Sequence, residues 1–291
     1  MQPSLSLCMI VKDEERNLAK CLDSVRALQP EIIIADTGST DRTVEIARQY
    51  GAQVFSFSFE RVDFAAARNQ TLARASGRWI LMLDADEVLE PASALLVQAV
   101  IADNENAGYY FARRNHASDA GGFITDYAVR LFPNRPHYRY RGRVHETIDV
   151  AILAGGGRLL TSGIVIDHNF ISNRETRRRK NHRYIEILKE EIEADPTDST
   201  RLDFLAAEFH QLEMFAEAAL VAEEIVRMRP LDPGAHLNLG IYRLVYQTDP
   251  KRARASFDQA LRLRPGYPEA LSFLQTIDEL ERAQPIQADT A

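Results

Sequence analysis

Cysteine is nearly absent from this 291-residue chain: Cys8 and Cys21 are the whole complement. Two residues build no disulfide framework, and no zinc-like spacing surrounds them, so both read as buried thiols. Long apolar runs are missing too. No stretch approaches the roughly eighteen residues of a membrane-spanning helix. The apolar segment Leu7 to Val11 runs straight into Lys12-Asp13-Glu14-Glu15-Arg16, unlike a signal peptide. A soluble, cytoplasmic protein is expected, with peripheral membrane association left open. Basic charge is not in excess either. Thirty-five Lys and Arg stand against 42 Asp and Glu, a net charge of -7, and neither half of the chain is strongly polarised. A nucleic-acid binder would carry a basic domain or stripe, so no nucleic-acid partner is expected. Two nucleotide-binding signatures, G-x-x-x-x-G-K-S/T and G-x-G-x-x-G, are also lacking.

What the chain has is apolar content, 45%, and a length that accommodates two domains. Its first hundred residues alternate between two periods. Leu5 to Val11, Ile32 to Ala35, Val54-Phe55 and the run from Trp79 read as strands. Glu14 to Leu28, Arg42 to Tyr50, Phe64 to Ala75 and Pro91 to Ala102 read as helices. That alternation predicts a parallel sheet with helices on both faces. After Gly108 it loosens, with strands expected at Tyr109 to Arg113, Val129 to Phe132 and Leu159 to Ile166. From Asn173 onward the pattern is helical, and Pro196, Pro230 and Pro265 recur at intervals of 34 and 35 residues. A helical period of 34 is that of tetratricopeptide repeats. Leu202, Leu205, Ala206, Phe209, Phe215, Ala218, Ala222 and Ile225 fill the core offsets of one unit. Leu239-Gly240, Ala253, Phe257 and Ala260 fill those of the next, with one extra residue near Gln247 to Pro250. The expected division is a catalytic domain over 1–172, a connecting helix over 173–195, a repeat domain over 196–283 and a disordered tail over 284–291.

The most informative run is Trp79-Ile80-Leu81-Met82-Leu83-Asp84-Ala85-Asp86. A continuous apolar strand is buried on both faces, and its carboxyl end opens into the crevice where open α/β sheets bind ligands. Two carboxylates at i and i+2 repel and resist desolvation, and a divalent cation relieves both problems. Hard oxygen ligands suit Mg2+ or Mn2+, which share a substrate's phosphates. The alternative is an Asp pair capping the helix after Glu90. A second strand ends in Ala35-Asp36-Thr37-Gly38-Ser39-Thr40-Asp41, where Ser39, Thr40 or Asp41 can cap the next helix. Asp36 is the member of that turn left for a base or a ribose hydroxyl.

Four motifs in order, Leu7-Cys8-Met9-Ile10-Val11-Lys12-Asp13-Glu14-Glu15, the Asp36 turn, Ala67-Arg68-Asn69 and Asp84-Ala85-Asp86, resemble the nucleotide-sugar domain of family 2 glycosyltransferases. The resemblance covers about the first 170 residues. It implies a GT-A fold, an α/β domain with a mixed, mainly parallel sheet, followed here by the all-α repeats. It further implies that Asp36 contacts the uracil or ribose of a UDP-sugar, that Asp84 contacts the ribose or a metal-bound water, and that Asp86 contacts the metal. Arg68 is placed near the nucleotide and Glu14. The usual Asn-Glu after the first strand is Asp13-Glu14 in this chain. The Gly-rich N-terminal loop of sugar nucleotidyltransferases is missing.

Glycosyl transfer needs a base for the acceptor's proton while a metal steadies the departing diphosphate. Arg141-Gly142-Arg143-Val144-His145-Glu146 supplies the candidate base, Glu146, with Asp126 as its rival and a salt bridge to Arg143 or Arg141 as the structural alternative. His168, ending an apolar strand, is a candidate third metal ligand or a structural histidine. Arg130, Arg139, Arg141 and Arg143 are candidates to steady a diphosphate or an anionic acceptor. The basic stretch Arg174 to Arg183 reads as a charged helix face. The expected activity is metal-dependent, inverting transfer from a nucleotide-sugar to a peptide, protein or glycan acceptor, with the repeats offering a docking groove. A lipopolysaccharide-core transferase and an inactive domain serving a repeat scaffold are the alternatives.

Overall fold

The computed structural model describes residues 4–103, 106–116, 123–168, 174–247 and 249–283, and the expected tail over 284–291 lies outside them. The chain divides into two compact units, residues 1–172 and 173–291.

The first unit is built on one eight-stranded sheet: β1 (Leu5–Val11), β2 (Glu31–Asp36), β3 (Gln53–Ser56), β4 (Trp79–Met82), β5 (Glu87–Leu89), β6 (Ala107–His116), β7 (Phe123–Pro133) and β8 (Arg158–His168). Their order is β3-β2-β1-β4-β7-β6-β8-β5. The pairs β1·β2, β2·β3, β1·β4 and β6·β8 are parallel, whereas β4·β7, β6·β7 and β5·β8 are antiparallel. The sheet is mixed, as expected.

Burial on both faces explains the unbroken apolar strands. Leu5, Leu7, Met9 and Val11 of β1, with Trp79 and Leu81 of β4, pack in one core with Leu18, Cys21 and Leu22 of α1 (Leu18–Ser24), Ala47 of α2 (Thr43–Gln49) and Val97 of α4 (Ser93–Asp103). Alternate residues Cys8, Ile80 and Met82 point to the other core, with Ala65 and Leu72 of α3 (Phe64–Leu72) and Ala151 and Ile152 of α5 (Asp149–Ala154). The strand period of two thus feeds two helical layers. Both thiols lie inside, and burial pushes that of Cys8 up to about 12.

Three differences from the sequence expectations have local causes. The first helix starts at Leu18 rather than Glu14. The backbone N–H groups of Glu14 and Glu15 are claimed by Thr43 Oγ1 at 2.7 Å and Asp41 Oδ2 at 3.0 Å, which pins this stretch as a turn. Strand β5 and helix α5, of three and six residues, are too short to show a period. Finally, Asp84 and Asp86 do not cap α4, which begins only at Ser93.

The second unit is helical throughout its described residues: α6 (Arg174–Ala194), α7 (Ser199–Gln211), α8 (Phe215–Met228), α9 (Pro233–Ile241), α10 (Pro250–Leu263) and α11 (Pro268–Ala283). Side chains of Asp198, Asp232 and Asp249 cap α7, α9 and α10. The extra residue of the second repeat is absorbed by a π-helical turn over Tyr242–Tyr246. Leu237, Ala253, Phe257, Ala260, Ala270 and Ile277 form one of this unit's cores. No helix among the described residues is long and apolar enough to cross a membrane.

Candidate active site

The carboxyl ends of β1, β2 and β4 open on one edge of the sheet, where β1 is flanked by β2 on one side and the chain crosses back from β3 to place β4 on the other. Ligands bind at such switch points. Register puts Val11 opposite Asp36, and Asp84 follows β4 by two residues. Antiparallel β7 lies beside β4, with Leu131 opposite Leu81, and so delivers Arg130.

The Glu146 loop is closed on itself and tied to α3. Arg141 and Thr147 exchange backbone hydrogen bonds of 2.9 and 3.0 Å, and Gly142 at φ 95° with His145 at φ 48° turns the chain between them. Arg143 donates from Nε to the carbonyl of Val62 at 2.9 Å and accepts at its own carbonyl from Phe64 N at 2.8 Å. That clasp sets Glu146 against Arg68, which lies on α3.

Arg68 joins the two ends of the site. It donates from Nε to Glu146 Oε1 at 2.6 Å and from Nη2 to Asp84 Oδ1 at 2.8 Å. Arg130 donates from Nη2 to Asp84 Oδ2 at 2.8 Å and to Glu87 Oε1, while Glu87 Oε2 accepts from Asp84 N at 3.0 Å. Both arginine side chains are only 7% exposed, so these are desolvated pairs. Burial opposes ionisation of Asp84, but the guanidinium groups of Arg68 and Arg130 outweigh it and hold the carboxyl far below the usual range. Glu146 pairs with Arg68, not with Arg143 or Arg141, and the acids that meet Arg68 are Asp84 and Glu146 rather than Glu14. Arg130 turns inward to Asp84 and Glu87, where sequence had offered it to a diphosphate.

Glu14 nevertheless faces the same crevice. Partial burial raises its carboxyl against a hydrogen bond from Asn17, and the negative charges of Asp86 and Asp84 raise it further. Asp36 was expected to be the member of its turn not used for capping. It does not cap α2, which begins at Thr43; its carboxylate accepts from the backbone N–H groups of Gly38 at 3.3 Å and Ser39 at 3.1 Å, fixing the turn. Asp126 is held by both nitrogens of an Arg113 fork, at 2.7 and 2.8 Å.

Two predicted ligands meet. Asp86 Oδ2 lies 3.2 Å from His168 Nε2. Among the described residues no group of three or more His, Cys, Asp or Glu is arranged to hold a metal. Mg2+-like ions are commonly held by one or two protein groups together with substrate phosphates and waters, and the donor set of one carboxylate and one imidazole fits that use. The carboxylate pair itself is not what draws a cation, because Asp84 is already compensated by two arginines.

Three buried polar atoms in this cluster, Arg68 Nη1, Arg130 Nε and the Tyr140 hydroxyl, have no partner among the described residues. The Arg68 guanidinium stands 5.5 Å over the Tyr140 ring. Burial raises the Tyr140 hydroxyl, against the charges of Arg68 and Arg130, and keeps it neutral. Sequence reasoning missed Glu87, Tyr140 and Arg113. Glu87 adjoins the aspartates and could have been included on that ground, while the other two reach the site only through strand pairing and the clasped loop.

Residues 6–169 match the family model described as Glycosyl transferase family 2, a span that covers more than half of the chain and every residue of this site. The chain belongs to glycosyl transferase family 2. Its first unit is a GT-A glycosyltransferase domain, and its second is the tetratricopeptide-type helical array. The family 2 chain is similar to a TPR repeat-containing protein of Synechococcus elongatus, at 41% identity over 150 residues, 52% of this chain and 36% of that one. It is 24% identical over 217 residues to the SPbeta prophage-derived glycosyltransferase SunS of Bacillus subtilis, 74% of this chain and 51% of that one. Identity to the lipopolysaccharide core biosynthesis glycosyltransferase LpsC of Rhizobium meliloti is 34% over 114 residues, 38% of this chain and 42% of that one. The family 2 chain thus spans about half or less of the length of these curated relatives.

Proposed function

We propose that this protein transfers a sugar, with inversion, from a UDP-sugar to an acceptor hydroxyl on a peptide, protein or glycan, using Mn2+ or Mg2+. One observation carries the reading: the Arg68 guanidinium bridges Asp84, at the donor end, to Glu146, on the acceptor loop. Asp36 and Asp84 line the nucleoside side, and each Asp84 oxygen keeps a lone pair beyond its arginine bond for a ribose hydroxyl. Glu14 borders this side. Asp86 and His168 hold the divalent ion, which when bound neutralises charge on the leaving diphosphate. Glu146 Oε1 is engaged by Arg68, and Oε2, the oxygen outside that bond, receives the acceptor's proton. The acceptor oxygen bonds to the anomeric carbon as the bond from that carbon to the diphosphate breaks.

The helical repeats favour a peptide or protein acceptor. The similarity to LpsC, whose name places it in lipopolysaccharide core synthesis, supports a glycan acceptor as the second reading. Isothermal titration with a panel of nucleotide sugars, with and without Mn2+, tests the donor half. Binding of one UDP-sugar only in the presence of metal, abolished in Asp86→Ala, is expected. Silence across the panel would favour an inactive domain carrying a repeat scaffold. Glu146→Gln should bind donor normally yet lose about 10²–10⁴-fold in transfer rate. Full transfer by that variant would move the base to Asp126.

A further inference from the structure

Asn115 on β6 is the register partner of His168 on parallel β8, and nothing in the sequence motifs pointed to it. Its amide is held in one orientation. The Nδ2 group donates to Asp126 Oδ2 at 3.1 Å and to the carbonyl of Ile124 at 3.2 Å, with the Arg113 carbonyl at 3.4 Å. Reversing the amide would set its oxygen against three acceptors, so Oδ1 is the atom that lies 2.7 Å from His168 Nδ1. An amide oxygen only accepts. The hydrogen of that bond therefore belongs to Nδ1, and in the neutral ring the lone pair belongs to Nε2, the nitrogen 3.2 Å from Asp86 Oδ2.

We propose that Asn115 is a positioning residue for the divalent ion: it fixes the Nδ1–H tautomer of His168 and so presents Nε2, beside Asp86, as a metal ligand. The inference rests on the metal role proposed above for Asp86 and His168. Two lone pairs 3.2 Å apart repel until a cation lies between them, so the tautomer that Asn115 selects prepares the site for an ion. Asp126, itself gripped by the Arg113 fork, is the outer anchor, and the chain of contacts runs Arg113, Asp126, Asn115, His168. Partners of this kind orient metal-bound imidazoles, and their loss commonly weakens metal affinity 10–100-fold.

The test uses the full-length protein at pH 8, with Mn2+ as the probe, and reads two quantities. The first is the Mn2+ dissociation constant by electron paramagnetic resonance. The second is the metal-free tautomer of His168 from long-range proton–nitrogen spectra of the imidazoles, assigned by the signal missing in His168→Gln. Wild type should show the Nδ1–H tautomer. Asn115→Leu should lose it and bind Mn2+ about 10–100-fold more weakly. The double exchange Asn115→Asp with Asp126→Asn keeps an oxygen on Nδ1 and a hydrogen bond between the two positions, so it should restore both readouts. That exchange also keeps the proposal testable where the leucine variant folds poorly. A wild-type ring in the Nε2–H form, or a folded Asn115→Leu that binds Mn2+ as wild type does, overturns the inference and leaves the Asp86 and His168 assignment standing. Absence of Mn2+ binding in wild type would instead sink the metal reading, and the ligand role of His168 with it.

Discussion

Asp84 is the residue on which the electrostatics of the site turn. Each of its oxygens accepts from a separate arginine at 2.8 Å, and its carboxyl is held far below the range of a free aspartate. An unfolded aspartate titrates near 3.9. With the folded value depressed, the stability contributed by Asp84 is fully present above about pH 4 and is lost as pH falls toward the folded value. Glu87 works in the opposite sense, since burial raises its carboxyl, so the comparison needs a variant rather than wild type alone. Urea unfolding of wild type and Asp84→Asn should give a stability difference that is constant from pH 7 to 5 and narrows below about pH 4. A difference that stays level down to pH 3 would mean that ionisation of Asp84 is not what the arginines stabilise. Asp84 was legible in sequence, because acids that end a buried strand need a charge partner, whereas Glu87 three residues on was not. The identity of that partner was not legible. Arg68 comes from a helix sixteen residues earlier and Arg130 from an antiparallel strand 46 residues later, and only the fold brings them to one carboxylate.

At the scale of elements, the helical array was read through its punctuation. Prolines at fixed spacing marked the units, and capping aspartates stand at three of the helix starts. The single surplus residue showed up in sequence as a spacing error, and in the structure it becomes the π turn Tyr242–Tyr246, displaced toward the N-terminus from where the spacing had located it. Gly240 shows why small residues recur in such units. A Cβ there would sit 2.5 Å from the Phe257 ring, so helices α9 and α10 approach more closely than any side chain allows. Gly240→Val should therefore destabilise the second unit by about 1–3 kcal/mol, read by denaturant unfolding followed through helical circular dichroism. Unchanged stability would mean that the Phe257 ring moves aside without loss. Short elements escaped the sequence reading for the complementary reason. β5 supplies Glu87, yet three residues carry no period, and it is recognised only by its pairing with β8.

At the scale of the molecule, the residues assigned to chemistry, from Glu14 to His168, all fall in the first unit, and each unit has cores of its own. Chemistry and acceptor docking are therefore separable in principle. Helix α6 belongs to the second unit, where it lies against α7 and packs Ile192 on the core of Leu202, Ala206, Ile225 and Ala235, so the informative cut lies before residue 173. A cut at 196 would strip α6 of its neighbours. If the repeats hold the acceptor, they add affinity by raising its effective concentration and leave the transfer step untouched. A protein of residues 1–172 should then bind and slowly hydrolyse the donor as the full chain does, while its KM for a peptide acceptor rises at least about tenfold. Initial-rate kinetics on both proteins, with circular dichroism to verify the shorter one, measure this. An unchanged KM would assign the helices to capping the fold, and a simultaneous loss of donor hydrolysis in a folded fragment would mean that the second unit contributes to the donor site itself.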